Sequence, residues 1–423
     1  MPYLKKQDPW RFAAWVLAAA VLIPLFTLFG SFLTLEREIW QHLSTTLLPD
    51  LIKNTVVLVS GVALFTAVVG VSLGWFTGAC DFPGRRFFSW ALALPMALPA
   101  YVMAFIFLGV MDFSGPVQQL LRTVPGFEVR MFEVRSAPYV ILVMGLTLYP
   151  YVYLLSRTSF MNQGRAILEA SQTLGLPPSR AFFKVALPMS RPWIVSGLAL
   201  VLMETLADFG AVSIFNYDTF TTAIYKSWCG FFSLKAAAQL SSLLVLLAVT
   251  LVFVEGLFKK RMRYYDSSRG GATHTRLELQ GWSAFWVVTY CSSILLVAFV
   301  VPVFQLTLWS LKVLRSGESA AYLEVIFKTL FLGATAAVII CLAAVLLAYS
   351  RRRNKSWSNV DLFRIATVGY PMPATVLAVG IFIPVSKFDN QLRHAMETIV
   401  SIDPAPIFQG TQVAVSYTHL RAH

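Results

Sequence analysis

Residues 169–178 read Glu169-Ala170-Ser171-Gln172-Thr173-Leu174-Gly175-Leu176-Pro177-Pro178, and Val185-Ala186-Leu187-Pro188 follow shortly after. Ile167, Ala170 or Ser171, and Leu174 fall on one stripe at helical spacing. Gly175 suits the left-handed position that ends a helix. Pro177 and Pro178 restart the chain, because proline is accepted in a first helical turn and not in an interior. Ala181, Phe182, Val185 and Ala186 give a second arm its own apolar face, which the spacing stops at Pro188. The expectation is a short helical hairpin between two long apolar runs, shaped to be gripped by something else.

This segment resembles the EAA loop of the permease subunits of bacterial ABC importers. The family pattern is Glu-Ala-Ala, three residues, Gly, nine residues, then an aliphatic residue, any residue, Leu and Pro. Glu169, Ala170, Gly175, Val185, Leu187 and Pro188 fit it, spacing included, while Ser171 replaces the second alanine with another small residue. The resemblance implies an all-α polytopic membrane protein with the MetI-like permease fold, located in the bacterial inner membrane. It implies that Glu169, Ala170, Ser171, Gly175, Val185, Leu187 and Pro188 form a coupling helix docked in a groove of a cytoplasmic ATP-binding cassette ATPase dimer. ATP would be bound by that partner, with no cofactor in this chain, and a periplasmic or lipoprotein substrate-binding protein would dock on the other side. The plainer reading is an amphipathic loop with a Glu169–Arg165 surface pair.

Composition agrees with a membrane protein. Of 423 residues 57% are hydrophobic and 13% charged, with a mean hydropathy of +0.67, against about 25% charged in soluble domains. Apolar runs occur near 12–33, 55–78, 88–110, 137–156, 193–214, 237–258, 283–310, 329–350 and 362–385, about nine spans in all. With the N-terminus in the cytoplasm, residues 1–11 and the inner loops hold 20 Lys and Arg, the outer loops 10. That bias is the positive-inside pattern. It accounts for the net charge of +13 with the lipid bilayer as partner and no nucleic acid. The stretch from Phe12 to Phe32 has a basic front and an apolar body but is long for a signal peptide, and reads as a retained first span. Cys80, Cys229, Cys291 and Cys341 are far apart and indicate no disulfide framework.

The chain also repeats itself. A shift of 274 residues aligns Thr55, Leu58, Ala63, Val71 and Leu73 with Thr329, Leu332, Ala337, Val345 and Leu347. The same ungapped shift brings Pro99-Ala100, Val102 and Ala104 onto Pro373-Ala374, Val376 and Ala378. Six spans separate the copies, so the two homologous halves are parallel, unlike the inverted repeats of many secondary transporters. The expected organisation is a first span and cytoplasmic N-terminus at 1–34, and a first permease half at 35–258 with the hairpin loop at 157–192. A cytoplasmic linker at 259–282 and a second, incomplete half at 283–414 would follow. A second hairpin would fall beyond the end of the chain, and 415–423 reads as an artefactual tail of a C-terminally truncated sequence.

On the substrate side, Glu204-Thr205-Leu206-Ala207-Asp208-Phe209-Gly210-Ala211-Val212 and Asp218-Thr219-Phe220-Thr221-Thr222-Ala223-Ile224-Tyr225 resemble ferric-iron importer permeases, as does Ala236-Ala237-Ala238-Gln239-Leu240. Spacing alone puts Glu204 and Asp208 on one face of an apolar span, where ionisable groups by default suggest a pathway. A carboxylate pair suits a hard cation that prefers oxygen ligands. The competing reading has both acids bonded to neighbouring backbone, fixing the packing. Pro95, Pro99, Pro371 and Pro373 are expected to kink spans where neighbours satisfy the freed carbonyls, and Gly70 and Gly74 form a small-xxx-small pair.

No Gly-x4-Gly-Lys-Ser/Thr loop, nucleophile motif or Cys/His metal spacing is present. The chain is therefore expected to be no enzyme, with no catalytic and no metal residues. The favoured expectation is the permease of an ATP-driven importer, for ferric iron. The alternatives are an ion-coupled secondary transporter, with Glu204 and Asp208 as relay, or the same importer type for thiamine or a polyamine.

Overall fold

A computed structural model of the chain describes residues 9–31, 41, 43–112, 115–122, 134–173, 175, 177–261, 276–315, 319–353 and 372–400. The described residues are almost wholly helical. In order the helices are α1 (Pro9–Gly30), α2 (Leu48–Ala79), α3 (Arg85–Ala91), α4 (Ala100–Met111), α5 (Pro116–Arg122), α6 (Ala137–Thr173), α7 (Pro178–Ala181) and α8 (Leu187–Ala207). Then come α9 (Gly210–Ile214), α10 (Phe220–Tyr225), α11 (Leu234–Arg261), α12 (Trp282–Leu295), α13 (Val301–Arg315), α14 (Ser319–Arg353) and α15 (Ala374–Val400). Two two-residue strands, β1 (Cys80–Asp81) and β2 (Leu277–Glu278), pair in parallel.

Eight segments among the described residues are long and apolar enough to cross a membrane: Phe12–Gly30, Thr45–Ala79, Ala100–Gln119, Ala137–Gln163, Phe182–Ala207, Leu234–Leu257, Trp282–Arg315 and Tyr322–Ser350. They correspond to eight of the nine apolar runs. The ninth, 362–385, lies partly outside the described residues, and the rest of it opens α15. Two runs are not the continuous helices that hydropathy suggests. The run at 88–110 is broken between α3 and α4, with a 3-10 turn at Leu94–Ala97. The run at 193–214 is broken between α8 and α9 at Asp208.

The chain divides into two compact units. One comprises Pro49–Thr222 and Val249–Lys312. Lipid offers helices no hydrophobic reward for meeting, so close backbone approach must supply the attraction. In this unit α2 does so with glycines. A Cβ on Gly70 would lie 2.8 Å from Val152 Cβ and 3.0 Å from Tyr153 N, and one on Gly78 3.0 Å from Arg157 O. Ser156 Oγ donates to Gly70 O at 3.2 Å across the same seam. The Gly70/Gly74 pair is thus helix packing, α2 against α6. Gly197 of α8 likewise meets Val152 Cα on α6, and the core between these helices is filled by Tyr149, Tyr153, Met144, Leu73 and Met103, all fully buried.

The other unit comprises Met1–Leu48, Ala223–Ala248 and Val313–His423. Here α1 packs on α15, with Gly380 set against Pro24. Thr27 Oγ1 lies within 2.8 Å of Pro24 O on its own helix and 3.0 Å of Gly380 O on α15, at the same contact. α14 leaves most of its apolar surface exposed, Leu323, Phe327, Leu330, Phe331, Leu342 and Val345 among it.

Pro99-Ala100 and Pro373-Ala374 occupy equivalent local geometries. Pro99 O accepts from Met103 N at 3.1 Å to open α4, and Pro373 O accepts from Leu377 N at 3.1 Å to open α15.

Candidate functional site

α6 is 37 residues long, about 55 Å at 1.5 Å per residue, against a hydrocarbon core of about 30 Å. Its candidate span ends at Gln163, so the helix projects past the apolar segment, and Glu169, Ala170 and Ser171 lie in the projecting part. Leu174 and Leu176 fall outside the described residues. Gly175 takes φ +79, the left-handed conformation the sequence calls for, and a Cβ there would meet nothing within 4 Å. Ala181 N donates to Pro177 O at 2.9 Å to start the second arm.

The second arm does not stop at Pro188. α7 passes through a wide turn, Phe182–Ala186, straight into α8, in which Pro188 is the second residue. Proline lacks an N–H and its ring clashes with the carbonyl four residues back. The wide turn, closed by Leu187 N on Phe182 O, opens the helix just before it and lets the chain continue. Val185, Leu187 and Pro188 are therefore half-buried residues of a helix that runs from the hairpin into the membrane-crossing core.

Two sets of contacts tie the base of the hairpin together. Gln163 Nε2 of α6 donates to Ser190 Oγ of α8 at 2.7 Å and lies 3.3 Å from Ala186 O, and Ser159 Oγ donates to Ser190 Oγ at 3.1 Å. Beside them Trp75, Phe160 and Phe182 form an aromatic triangle joining α2, α6 and the wide turn. Its ring centroids are 5.2, 4.8 and 6.2 Å apart. Phe183 packs edge-on against Phe182 at 4.9 Å and is 66% exposed. The sequence reading placed Phe182 on an apolar face but not Trp75, Phe160, Gln163 or Ser190. The signal available was Gln163 and Ser190 at the two inner ends of the hairpin arms, polar residues beside apolar spans.

Glu204 and Asp208 do not share the face of one helix. α8 ends at Ala207 and Asp208 is extended, at φ −68 and ψ 128. Its carboxylate Oδ1 accepts from Ala211 N at 2.9 Å and Val212 N at 3.3 Å, capping α9. A short acidic side chain competes with the helix for backbone donors and so starts a new helix in place of extending the old. Glu204 sits one turn earlier, exposed, with no hydrogen bond to its carboxylate among the described residues.

Asp208 O also accepts from Thr221 Oγ1 at 2.7 Å, which binds the break to the Asp218–Tyr225 segment. There Thr219 N donates to Thr222 Oγ1 at 2.8 Å, a cap for α10. Asn54 Nδ2 donates to Asp218 O at 3.1 Å, and Tyr217 Oη returns a bond to Asn54 O at 3.1 Å. The Asp-Thr-Phe-Thr-Thr string is thus a capping and anchoring device.

The other broken run is completed by tyrosines. Tyr149 Oη donates to Leu92 O at 2.8 Å and Tyr153 Oη to Ser89 O at 3.0 Å, satisfying carbonyls at the end of α3 that the break before Pro95 takes out of the helical ladder, as the membrane interior requires. The two breaks adjoin, for a Cβ on Gly210 would press on Tyr101 Cβ at the start of α4.

Residues 70–264 match the family described as the binding-protein-dependent transport system inner membrane component. The Fe(3+)-transport system permease protein FbpB 2 of Haemophilus influenzae is 25% identical over 355 residues, 83% of this chain and 66% of that protein. The chain thus spans just under two thirds of the length of that relative. The sulfate transport system permease protein of Salmonella typhimurium is 27% identical over 195 residues, 45% of this chain and 69% of its own. The molybdenum transport system permease protein of Escherichia coli is 29% identical over 152 residues, 36% of this chain and 65% of its own. The matched family is one of transport permeases, not enzymes, and it is the family that the hairpin resembles.

Proposed function

We propose that this chain, matched over residues 70–264 by the inner membrane component of binding-protein-dependent transport systems, is the permease of an ATP-driven importer and that its hairpin is the coupling element. The observation that carries this reading is the hairpin itself. α6 projects past its span, turns at a left-handed Gly175, and returns through a continuous helix anchored to α2 and α6 by the Trp75–Phe160–Phe182 triangle. A partner that moves the hairpin moves core helices with it. ATP would be bound by an ATPase dimer on that side, in the cytoplasm, with a substrate-binding protein opposite and the N-terminus inside. Nucleotide can shift the two access states only by its differential affinity for them, and the hairpin is where that difference enters the permease.

Ferric iron is the substrate we propose. The ferric-ion relative is matched over 83% of this chain, the sulfate and molybdate relatives over about half of it or less. An exposed Glu204 carboxylate within a span favours a cation over an oxyanion. The equivalent openings of α4 and α15 support two parallel halves, the first at 35–258 and the second from 283.

The test is uptake of radioactive ferric ion and of molybdate by cells that carry this chain with its ATPase and binding protein. Ferric uptake that stops on ATP depletion and survives collapse of the proton gradient supports the proposal. Loss on collapsing the gradient alone would move the assignment to an ion-coupled transporter, and molybdate uptake without ferric uptake would reassign the substrate.

A further inference from the structure

At the end of α2 three arginines from distant parts of the chain converge. Arg85 Nε pairs with Asp81 Oδ1 at 3.0 Å, and its Nη1 reaches Thr77 O at 3.4 Å. The backbone of Arg157 lies against Gly74 and Gly78 of α2. Arg276 immediately precedes β2, whose pairing with β1 sets Leu277 beside Cys80 and Glu278 beside Asp81. The Nε atoms of Arg157 and Arg276 are both buried and have no hydrogen-bond partner among the described residues. Desolvation and the neighbouring charge of Arg85 hold the Arg276 pKa below its usual value. Asp81 is engaged with Arg85, and Glu278 is exposed and accepts from Gln280. The cluster carries a net positive charge.

Exposed aromatic residues lie on the two helices that adjoin it. Trp282, Phe285 and Trp286 on α12 are 76, 55 and 64% exposed, with successive ring centroids 5.8 Å apart. The register places them. Tyr290 Oη is 2.8 Å from Ser72 Oγ and its ring packs on Phe76, so the residues one and two turns before Tyr290 lie level with the end of α2. On α3, which opens at Arg85, Phe87 and Trp90 pack edge-to-face at 5.4 Å and are half exposed. Exposed tryptophans at the end of a span mark the membrane–water boundary.

Guanidinium groups hold phosphate oxygens through paired N–H donors, and aromatic rings at this depth flank the glycerol and upper acyl region of a lipid. We propose that Arg157 and Arg276, backed by Arg85, bind the phosphate of an anionic phospholipid headgroup at the membrane–water boundary. The bound lipid would bridge α2, α6 and the segment entering α12, adding to the α2–α6 seam and to the short β1–β2 pair that already join these stretches.

The test is native mass spectrometry of the purified full chain titrated with phosphatidylglycerol, phosphatidylcholine or inorganic phosphate. Phosphatidylglycerol is expected to be retained over phosphatidylcholine, and inorganic phosphate not to displace it. Arg157→Gln and Arg276→Gln should each weaken retention about five-fold, from roughly 1 kcal/mol per basic residue near the surface, and Arg352→Gln on α14 should not. Equal retention of both lipids, displacement by inorganic phosphate, or undiminished retention in the double variant would each overturn the proposal. Should the glutamine pair not fold, the Arg157→Lys, Arg276→Lys pair keeps the charge and removes the fork. Weaker retention by it supports the site and unchanged retention overturns it.

Discussion

The Trp75 indole packs on the Phe182 ring with centroids 4.8 Å apart at an interplanar angle of 60°. Trp75 belongs to α2, the helix whose glycine stripe seats it on α6, and Phe182 opens the wide turn at the foot of the hairpin. The contact therefore ties the foot of the hairpin to α2 of the membrane-crossing core. Removing the Phe182 ring is expected to loosen that link more than it destabilises the protein. Phe182 is only half-buried, so Phe182→Ala should cost about 2 kcal/mol, below the full 3–5 of a core phenylalanine. The check is ATPase stimulation by loaded binding protein beside thermal unfolding. A variant that unfolds early yet keeps full stimulation would show that the triangle is packing and not transmission.

Gln163 and Ser190 make the second link, and both are held in a network that includes Ser159. Gln163→Leu removes one of the two hydrogen bonds to the buried Ser190 hydroxyl and leaves the one from Ser159, at a cost of about 0.5–1.5 kcal/mol. A double-mutant cycle with Ser190→Ala should return a coupling of at least about 1 kcal/mol. Simple additivity of the two substitutions would mean that the arms are held by the aromatic triangle alone.

Asp208 separates two roles that a sequence cannot. As a cap it needs an oxygen that accepts from Ala211 and Val212, which asparagine also offers. Asp208→Ala should lose about 1 kcal/mol of stability, and Asp208→Asn much less. If the carboxylate charge serves the pathway, Asp208→Asn abolishes uptake at near-normal stability. Normal uptake by a stable Asp208→Asn protein would confine the residue to capping.

Tyr149 is fully buried and its hydroxyl serves Leu92 O in the broken run. Tyr149→Phe keeps the ring and so opens no cavity. The expected loss, about 1–3 kcal/mol, is that of one buried carbonyl left without a donor. Thermal unfolding in detergent measures it, and a loss under about 0.5 kcal/mol would show that the carbonyl finds another donor.

The span inventory, the left-handed Gly175 and the glycine seam were legible because each depends on residues close in sequence or on composition over a window. Of the two helix breaks, the first was legible as a kink at Pro95 and Pro99, and the second was not. Hydropathy reads Leu, Ala and Phe alike whether the backbone is helical or turned, so it shows neither the extent of the first break nor the existence of the second. What breaks the first is Pro95 with Pro99, and what makes the break tolerable is Tyr149 and Tyr153 on another helix. No local pattern announces that pairing. Asp208 was noticed for its charge, but its use in the fold is a local contest between side chain and helix that i, i+4 spacing conceals. Pro188 misled in the opposite direction. Proline ordinarily ends a helix, and only the wide turn at Phe182–Ala186 lets this one continue.

Gly175 gives the sharpest separation of fold from coupling. It sits at φ +79 with open space around the position of a Cβ, so the strain of a substitution there is backbone strain alone. Asparagine and aspartate are nearly the same size and both tolerate the left-handed region better than other residues. Gly175→Asn and Gly175→Asp should therefore insert and unfold alike, each within about 1–2 kcal/mol of the parent. They differ by one negative charge at the exposed tip of the hairpin. If a partner ATPase closes over that tip, Gly175→Asp loses ATPase association and uptake, and Gly175→Asn retains most of both. Co-purification with the ATPase and uptake on the same preparations decide it. Normal uptake by Gly175→Asp would sink the coupling assignment, and equal loss in both variants at equal stability would assign the defect to the turn and not to the charge.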